Sequence, residues 1–332
     1  MIFGLCYLHK KIRTKMKIVV LDGYTINHGD VSWKELQHVG DLNIYDRTAK
    51  NQIIERIADA DAILTNKVAI DAEIIKQSKK IKYIGVMATG YNVVDIDAAK
   101  NKGIIVTNVP AYSTESVAQM VFAHILNITN SVEHYAILNR NGKWSKSLDF
   151  CYYDRKQIQL SGSTIGIIGL GNIGMRVAQI ASAFGMRVIA NTSKPQKKLP
   201  SYIWKCSISQ LFSESDFITL HCPLTKETHH LISHPTIEQM KSSAIIINTG
   251  RGALVNEIDM ANALQNGRIF AYCADVLEQE PPSEDNPLLK CDNSYITPHI
   301  AWATPQSRQK LINVLAQNLV AFNNGKPINV VN

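Results

Sequence analysis

The sequence of 332 residues contains no apolar run of the roughly 18 residues needed to cross a bilayer, so no membrane partner is expected. Its six cysteines (Cys6, Cys151, Cys206, Cys222, Cys273 and Cys291) never form a C-x-x-C pair, so neither a zinc knuckle nor a disulfide framework is expected. Scattered thiols of this kind suit a reducing, cytoplasmic compartment. No G-x-x-x-x-G-K-[ST] is present, which excludes a P-loop. His229, His230 and His234 lack the glutamate of an HExxH helix, and Pro235 follows them. They read as surface or loop histidines, and no metal is expected. Short-period repeats and low-complexity tracts are also missing. Positive charge is in surplus but is not gathered on one face. Of the net +7, Lys10, Lys11, Arg13 and Lys15 supply four, leaving +3 over residues 16–332. A phosphate backbone needs a concentrated basic face, so no nucleic-acid partner is expected.

The length exceeds one ordinary core, and a composition of 45% hydrophobic and 19% charged residues fits a globular protein. Residues 1–15 read as an N-terminal extension. Its apolar start (Ile2, Phe3, Leu5) precedes its basic residues, the reverse of signal-peptide order. A mistaken or alternative start codon accounts for it. Met16 then opens a first buried strand, and short β-branched runs alternate with helical segments. Strands are predicted at 17–21, 61–65, 82–86 and 104–107, with helical segments at 51–59 and 71–78. The stretch from Thr114 to about Asn139 has neither Gly nor Pro. It carries Val117, Met120, Val121, His124, Ile125 and Ile128 at helical spacing, which predicts one long helix able to connect two domains. A second series has strands at 163–168, 187–190, 216–220, 244–248, 269–274 and 294–297, and helix returns from Pro305. Two such series predict two α/β domains, each with a doubly wound parallel sheet.

The sequence Gly169-Leu170-Gly171-Asn172-Ile173-Gly174 is a G-x-G-x-x-G between a predicted strand and a predicted helix, the context a dinucleotide-binding turn requires. Gly169 permits the tight turn, Gly171 lets the backbone approach a pyrophosphate, and Gly174 lets helix and strand pack closely. The helix N-terminus offers free N–H groups to the phosphates. An acid that binds the ribose hydroxyls is expected roughly 20 residues on. Here the stretch reads Asn191-Thr192-Ser193-Lys194, with no acid. NADP(H) is therefore acceptable, and NAD(H) bound by a neutral hydrogen bond from Thr192 or Asn191 is equally so.

Four blocks recur in one known family: residues 88–95 (Ala-Thr-Gly-Tyr-Asn-Val-Val-Asp), the glycine turn, residues 248–252 (Asn-Thr-Gly-Arg-Gly), and residues 274–282 with 297–304. With them the chain, from Met16 to about residue 325, resembles the D-isomer-specific 2-hydroxyacid dehydrogenases, and among these the glycerate dehydrogenase (hydroxypyruvate reductase) branch. The resemblance implies Rossmann-like and flavodoxin-like domains with an interdomain cleft. Residues 16–113 plus 305–332 would form the substrate domain, 114–304 the NAD(P)-binding domain, and the two long helices the hinge. It also implies a C2 homodimer, with contacts in the aromatic-rich segment 140–160 (Trp144, Phe150, Tyr152, Tyr153).

The resemblance implies a catalytic set of Arg251, Glu280 and His299, acting on a small 2-keto or 2-hydroxy acid. The residue types suit the chemistry. An imidazole can give a proton to a keto oxygen near neutral pH. A carboxylate beside it favours the charged ring and fixes its tautomer. A guanidinium forks onto a carboxylate. Taken singly, each residue could equally be a surface ion-pair partner, a solvated loop acid or a buried hydrogen-bonded histidine. The same resemblance assigns the substrate carboxylate to Ala88, Thr89 and Gly90, and the nicotinamide amide to Asp275. It places the cofactor border at His221, Cys222, Pro223, Thr249 and Gly250. Trp302 reads either as a wall of the substrate pocket or as a core aromatic.

Rival readings are a formate-dehydrogenase-like enzyme, which has glutamine where Glu280 stands, and a nucleotide-sensing corepressor of the same fold. The cofactor reading is testable at one residue. Thr192→Asp should move the ratio of kcat/KM with NADPH to that with NADH towards NADH. The expected shift is about tenfold or more, because like-charge contact costs more than the ~1.4 kcal/mol that a factor of ten represents. An unchanged ratio would refute this account of the turn after the second strand.

Overall fold

Short β-branched runs pair side by side in this chain, and the longer periodic segments between them cover the sheets they form. A computed structural model describes residues 15–332, so the expectation for residues 1–15 lies, apart from Lys15, outside the described residues. The described chain divides into two compact units. One runs up to Tyr112 and resumes at Pro305–Asn332; the other is Ser113–Thr304. Among the described residues no helix is long and apolar enough to cross a membrane.

The first unit has five parallel strands: β1 (Met16–Val20), β2 (Gly40–Ile44), β3 (Ala62–Thr65), β4 (Tyr83–Val86) and β5 (Ile105–Thr107). Their spatial order is β2-β1-β3-β4-β5, the flavodoxin-like order. Val19, Ile63, Ile84 and Val106 bury one face against Ile53, Ile57, Ile74 and Ile75. Tyr83, from the other face, packs on Phe322 of the returning helix Pro305–Asn323, with ring centroids 5.1 Å apart. Asn318 of that helix bonds Thr107 and Asn108, so the last helix belongs to the first unit. Beyond β1, buried Asp22 accepts the backbone N–H groups of Asn66, Lys67 and Val68 at 2.8, 2.5 and 3.1 Å. It thereby fixes the loop after β3.

The second unit has seven parallel strands: β6 (Thr164–Ile168), β7 (Arg187–Asn191), β8 (Ile203–Lys205), β9 (Phe217–Leu220), β10 (Ile245–Asn248), β11 (Ala271–Ala274) and β12 (Ser294–Ile296). The order β12-β11-β10-β9-β6-β7-β8 reverses between β6 and β9, the topological switch point of a doubly wound dinucleotide-binding sheet. Side chains alternate across it, as a strand's period of two demands. Ile165, Ile167, Ile245, Ile247 and Cys273 meet Val121, Ile125, Val177 and Ala181 on one face. Ile168, Ile218, Ile246 and Tyr272 meet Leu211, Phe212, Met260 and Leu264 on the other. Both faces are covered, which explains why these strands read as unbroken apolar runs.

Two features differ from expectation. The single long helix is two, Thr114–Asn130 and Val132–Arg140, both in the second unit. Ser131 between them is left-handed (φ 48°), and the carbonyl of Thr129 accepts from Ile158 N–H at 3.1 Å instead of continuing the helix. Strands β2 and β8 were not predicted. Both are sheet edges, half exposed, with polar or charged residues (Asp41, Asn43, Lys205) that hide the apolar signal.

Candidate active site

In a parallel sheet all strands end at one edge, and the loops leaving that edge in the second unit carry the expected residues. The glycine turn follows β6, Asn191 and Thr192 close β7, and His221 follows β9. Thr249 to Arg251 follow β10, Asp275 follows β11, and His299 lies three residues past β12.

A cavity of about 570 Å3 opens at the switch point. It is lined by Gly169, Gly171, Asn191, Thr192, Ser193, His221, Cys222 and Pro223, with Leu170, Lys194, Thr228 and Leu231 beside them. Asn172, Ile173 and Gly174 form the first turn of the helix Asn172–Ala183 behind it. Two of the three glycines are dictated by the protein itself. A Cβ on Gly174 would lie 2.1 Å from the Gly169 carbonyl oxygen, and one on Gly169 would lie 2.6 Å from Cys222 N. A Cβ on Gly171 would meet nothing within 4 Å, so the space there is open to a ligand. Burial pushes His221 down to about 3 and the Cys222 thiol up, so neither carries charge into the cavity near pH 7. On the loop after β10, the strand beside β9, Thr249 Oγ1 is buried and has no hydrogen-bond partner among the described residues. A dinucleotide fits these observations: open space over Gly171, a helix N-terminus and an unsatisfied hydroxyl.

On the loops after β11 and β12, His299 Nδ1 lies 2.6 Å from Glu280 Oε2, with the two side chains 30% and 34% exposed. Each partner is held from behind. The other Glu280 oxygen accepts the Leu277 N–H at 3.0 Å. His299 has a left-handed backbone (φ 54°), rare for a residue with a side chain. The turn that imposes it is organised by Asp275, only 1% exposed, which accepts from Thr297 Oγ1 at 2.6 Å, Ile300 N at 2.9 Å and Ala301 N at 2.7 Å. Trp302 Nε1 donates to the His299 carbonyl at 2.8 Å, so this indole supports the turn directly.

Arg251 is exposed, and one guanidinium N–H donates to the Gly250 carbonyl at 2.8 Å. Buried Asn248 shapes its loop, donating to the Arg251 carbonyl at 2.8 Å and accepting from Gly250 N at 3.0 Å. The next residue, Gly252, lies against the turn that carries Glu280: a Cβ there would fall 1.9 Å from the Leu277 carbonyl carbon. The structure thus brings Glu280 and His299 into contact and seats the Arg251 loop on the same turn. Ala88, Thr89 and Gly90 form the loop after β4 in the first unit, where Thr89 Oγ1 donates to the Val109 carbonyl at 2.9 Å. Asn248, Gly252 and Leu277 had no assigned role from sequence. A polar residue ending the run Ile245–Ile247 is the one sequence signal that marks Asn248.

A doubly wound unit with a cavity at its switch point and a carboxylate–imidazole pair at the same sheet edge defines a nicotinamide-dependent dehydrogenase. Residues 122–301 match the family described as D-isomer specific 2-hydroxyacid dehydrogenase, NAD binding domain. A hydroxypyruvate reductase of Blautia hydrogenotrophica is 43% identical, covering 96% of this chain and 100% of that one. A glycerate dehydrogenase of Methylorubrum extorquens is 39% identical over 95% and 98%. Among solved structures, an acyclic imino acid reductase in complex with NADPH and D-Arg superposes with a TM-score of 0.82 at 30% identity, covering 96% and 100% of the two chains. The chain belongs to the D-isomer-specific 2-hydroxyacid dehydrogenase family, in its glycerate dehydrogenase-like part. It is an NAD(P)-dependent oxidoreductase that acts on CH–OH donors.

Because Gly252 sets the spacing between the Arg251 loop and the Glu280 turn, Gly252→Ala should lower kcat/KM by about 100-fold, the scale of a 1 Å misplacement. Steady-state kinetics, with a melting curve to show that the variant is folded, decide this; a folded variant with unchanged kcat/KM would show that the spacing is not what matters.

Proposed function

We propose that this enzyme reduces hydroxypyruvate or glyoxylate, giving the D-2-hydroxy acid where the product is chiral, with Arg251, Glu280 and His299 as its working groups. The observation that carries the assignment is the 2.6 Å contact between His299 and Glu280 in the unit that also holds the cofactor cavity. When bound, the reduced nicotinamide supplies the hydride to the keto carbon. His299 gives the proton to the keto oxygen through Nε2, because Nδ1 faces Glu280. Glu280 keeps the ring in that tautomer and stabilises its charged form. Arg251 has guanidinium donors beyond the one spent on Gly250, and these bind the substrate carboxylate and polarise the carbonyl.

For the cofactor, we assign Gly169, Gly171, Asn172, Ile173 and Gly174 to the pyrophosphate. Asn191, Thr192 and Ser193 take the adenosine ribose, and His221, Cys222, Pro223, Thr249 and Gly250 border the nicotinamide half. A carboxylate offers about four acceptor positions. Asp275 uses three within its turn, which leaves one for the nicotinamide amide. Ala88, Thr89 and Gly90 are the backbone donors assigned to the substrate carboxylate, with the unit up to Tyr112 plus Pro305–Asn332 as substrate domain and Ser113–Thr304 as cofactor domain. The names hydroxypyruvate reductase and glycerate dehydrogenase among the relatives support the choice of keto acid. They do not favour the corepressor or formate-dehydrogenase readings.

A cytoplasmic homodimer completes the proposal. Free cysteines suit a reducing compartment. Val132, Trp144, Leu148, Phe150 and Tyr153, all within residues 132–153, are exposed apolar side chains, which supports an interface on this segment.

The experiment is a panel of short 2-keto acids (hydroxypyruvate, glyoxylate, pyruvate, 2-ketobutyrate) against NADH and NADPH, followed at 340 nm. The highest kcat/KM is expected with hydroxypyruvate or glyoxylate. A preference for pyruvate would overturn the substrate assignment, and no turnover with any of them would overturn the reductase reading.

A further inference from the structure

Apart from Glu280 and His299, the second unit gathers another set of donor atoms. His230 Nε2 lies 3.5 Å from Glu278 Oε2, and His229 Nε2 lies 3.9 Å from Glu278 Oε1. One donor atom from each of the three residues falls within 4.8 Å of the others. The two imidazoles overlap, with centroids 3.9 Å apart and planes tilted by 35°.

Neighbouring residues in an extended chain point to opposite sides. Here His230 is left-handed (φ 52°), and its side chain turns to the same side as that of His229. That arrangement is fixed from both ends. The His230 N–H donates to the Ala253 carbonyl at 2.8 Å. The Glu278 N–H donates to Glu257 Oε1 at 2.7 Å, and Glu257 Oε2 accepts from the Asn286 side chain at 2.7 Å.

Two imidazoles and a carboxylate are the donor set of a borderline divalent ion, three protein ligands leaving a position for water. Metal–ligand bonds of about 2.0–2.1 Å in a tetrahedral shell put neighbouring donor atoms about 3.4 Å apart. His230 Nε2 and Glu278 Oε2, 3.5 Å apart, already have that spacing, and with one donor atom taken from each residue all three lie within 4.8 Å, a gap that small side-chain rotations close. The half-exposed side chains leave a path for the ion and its water.

We propose that His229, His230 and Glu278 form a binding site for a divalent transition-metal ion of the Zn2+ class. The absence of HExxH does not bear on it, since His234 takes no part and the third donor comes from a distant stretch of chain. The ion ties together two segments that flank the working groups. One is the loop whose Thr228 and Leu231 line the cofactor cavity. The other is the turn whose Leu277 N–H holds Glu280. The role is structural, and the ion takes no part in proton or hydride transfer.

The test uses the full chain, stripped with EDTA, dialysed, and titrated with zinc sulfate by calorimetry and with cobalt chloride by visible absorption. The unsubstituted protein should take up one equivalent saturably and melt at a higher temperature with zinc present. Glu278→Gln, and His230→Asn, which suits a left-handed backbone, should each weaken uptake by about tenfold or more, the scale on which disturbing a metal site tells on affinity. The melting temperature of the metal-free variants should stay close to that of the metal-free parent. No saturable uptake would overturn the proposal, leaving an ordinary histidine–glutamate ion pair. Uptake that survives both substitutions would overturn it too, placing the ion elsewhere, for instance on the exposed Cys151 thiol.

Discussion

A buried carboxylate, that of Asp275, organises the turn that carries His299. It accepts one hydroxyl and two backbone N–H groups from residues 297–301, and so holds His299 in a left-handed conformation that a residue with a side chain seldom adopts. That conformation delivers Nδ1 to Glu280, whose second oxygen is fixed by Leu277 N–H. Removing Asp275 would leave the Ile300 and Ala301 N–H groups without their acceptor, at about 1–3 kcal/mol for the buried one, that of Ala301. The turn would relax, and the imidazole would lose its aim.

The sheet supplies what the turn cannot. Seven parallel strands end at one edge, so loops from stretches as distant as 169 and 299 emerge together. Reversal of strand order between β6 and β9 parts the loops there and opens the cavity. The close approach of Gly252 to Leu277 then joins the loop of Arg251 to the turn of Glu280 through a contact that only glycine allows.

Much of this is legible in the sequence. The buried strands of both sheets show as β-branched runs because both faces are covered, and the glycine turn announces itself by its neighbours. Edge strands β2 and β8 do not, because one side of an edge meets solvent and accepts polar residues such as Asn43 or Lys205. The break at Ser131 is hidden for another reason. No Gly or Pro marks it, and its cause is a tertiary bond from Ile158 to Thr129. The family pattern assigns roles to Arg251, Glu280 and His299, but it does not point to the groups that position them. Leu277 acts through its amide and Gly252 through its lack of a side chain, and neither property shows in residue type alone. The grouping of His229 and His230 with Glu278 is hidden in the same way, by a separation of nearly fifty positions and one unusual backbone angle.

The proposed reaction requires that Glu280 and His299 act as one unit, the carboxylate working only through the imidazole. A double-mutant cycle on kcat/KM for hydroxypyruvate reduction, with Glu280→Gln, His299→Ala and the pair, tests it most directly. The double variant should be no slower than His299→Ala alone, because the carboxylate has nothing left to hold. Losses that multiply, with the double variant slower by the product of the single effects, would contradict it.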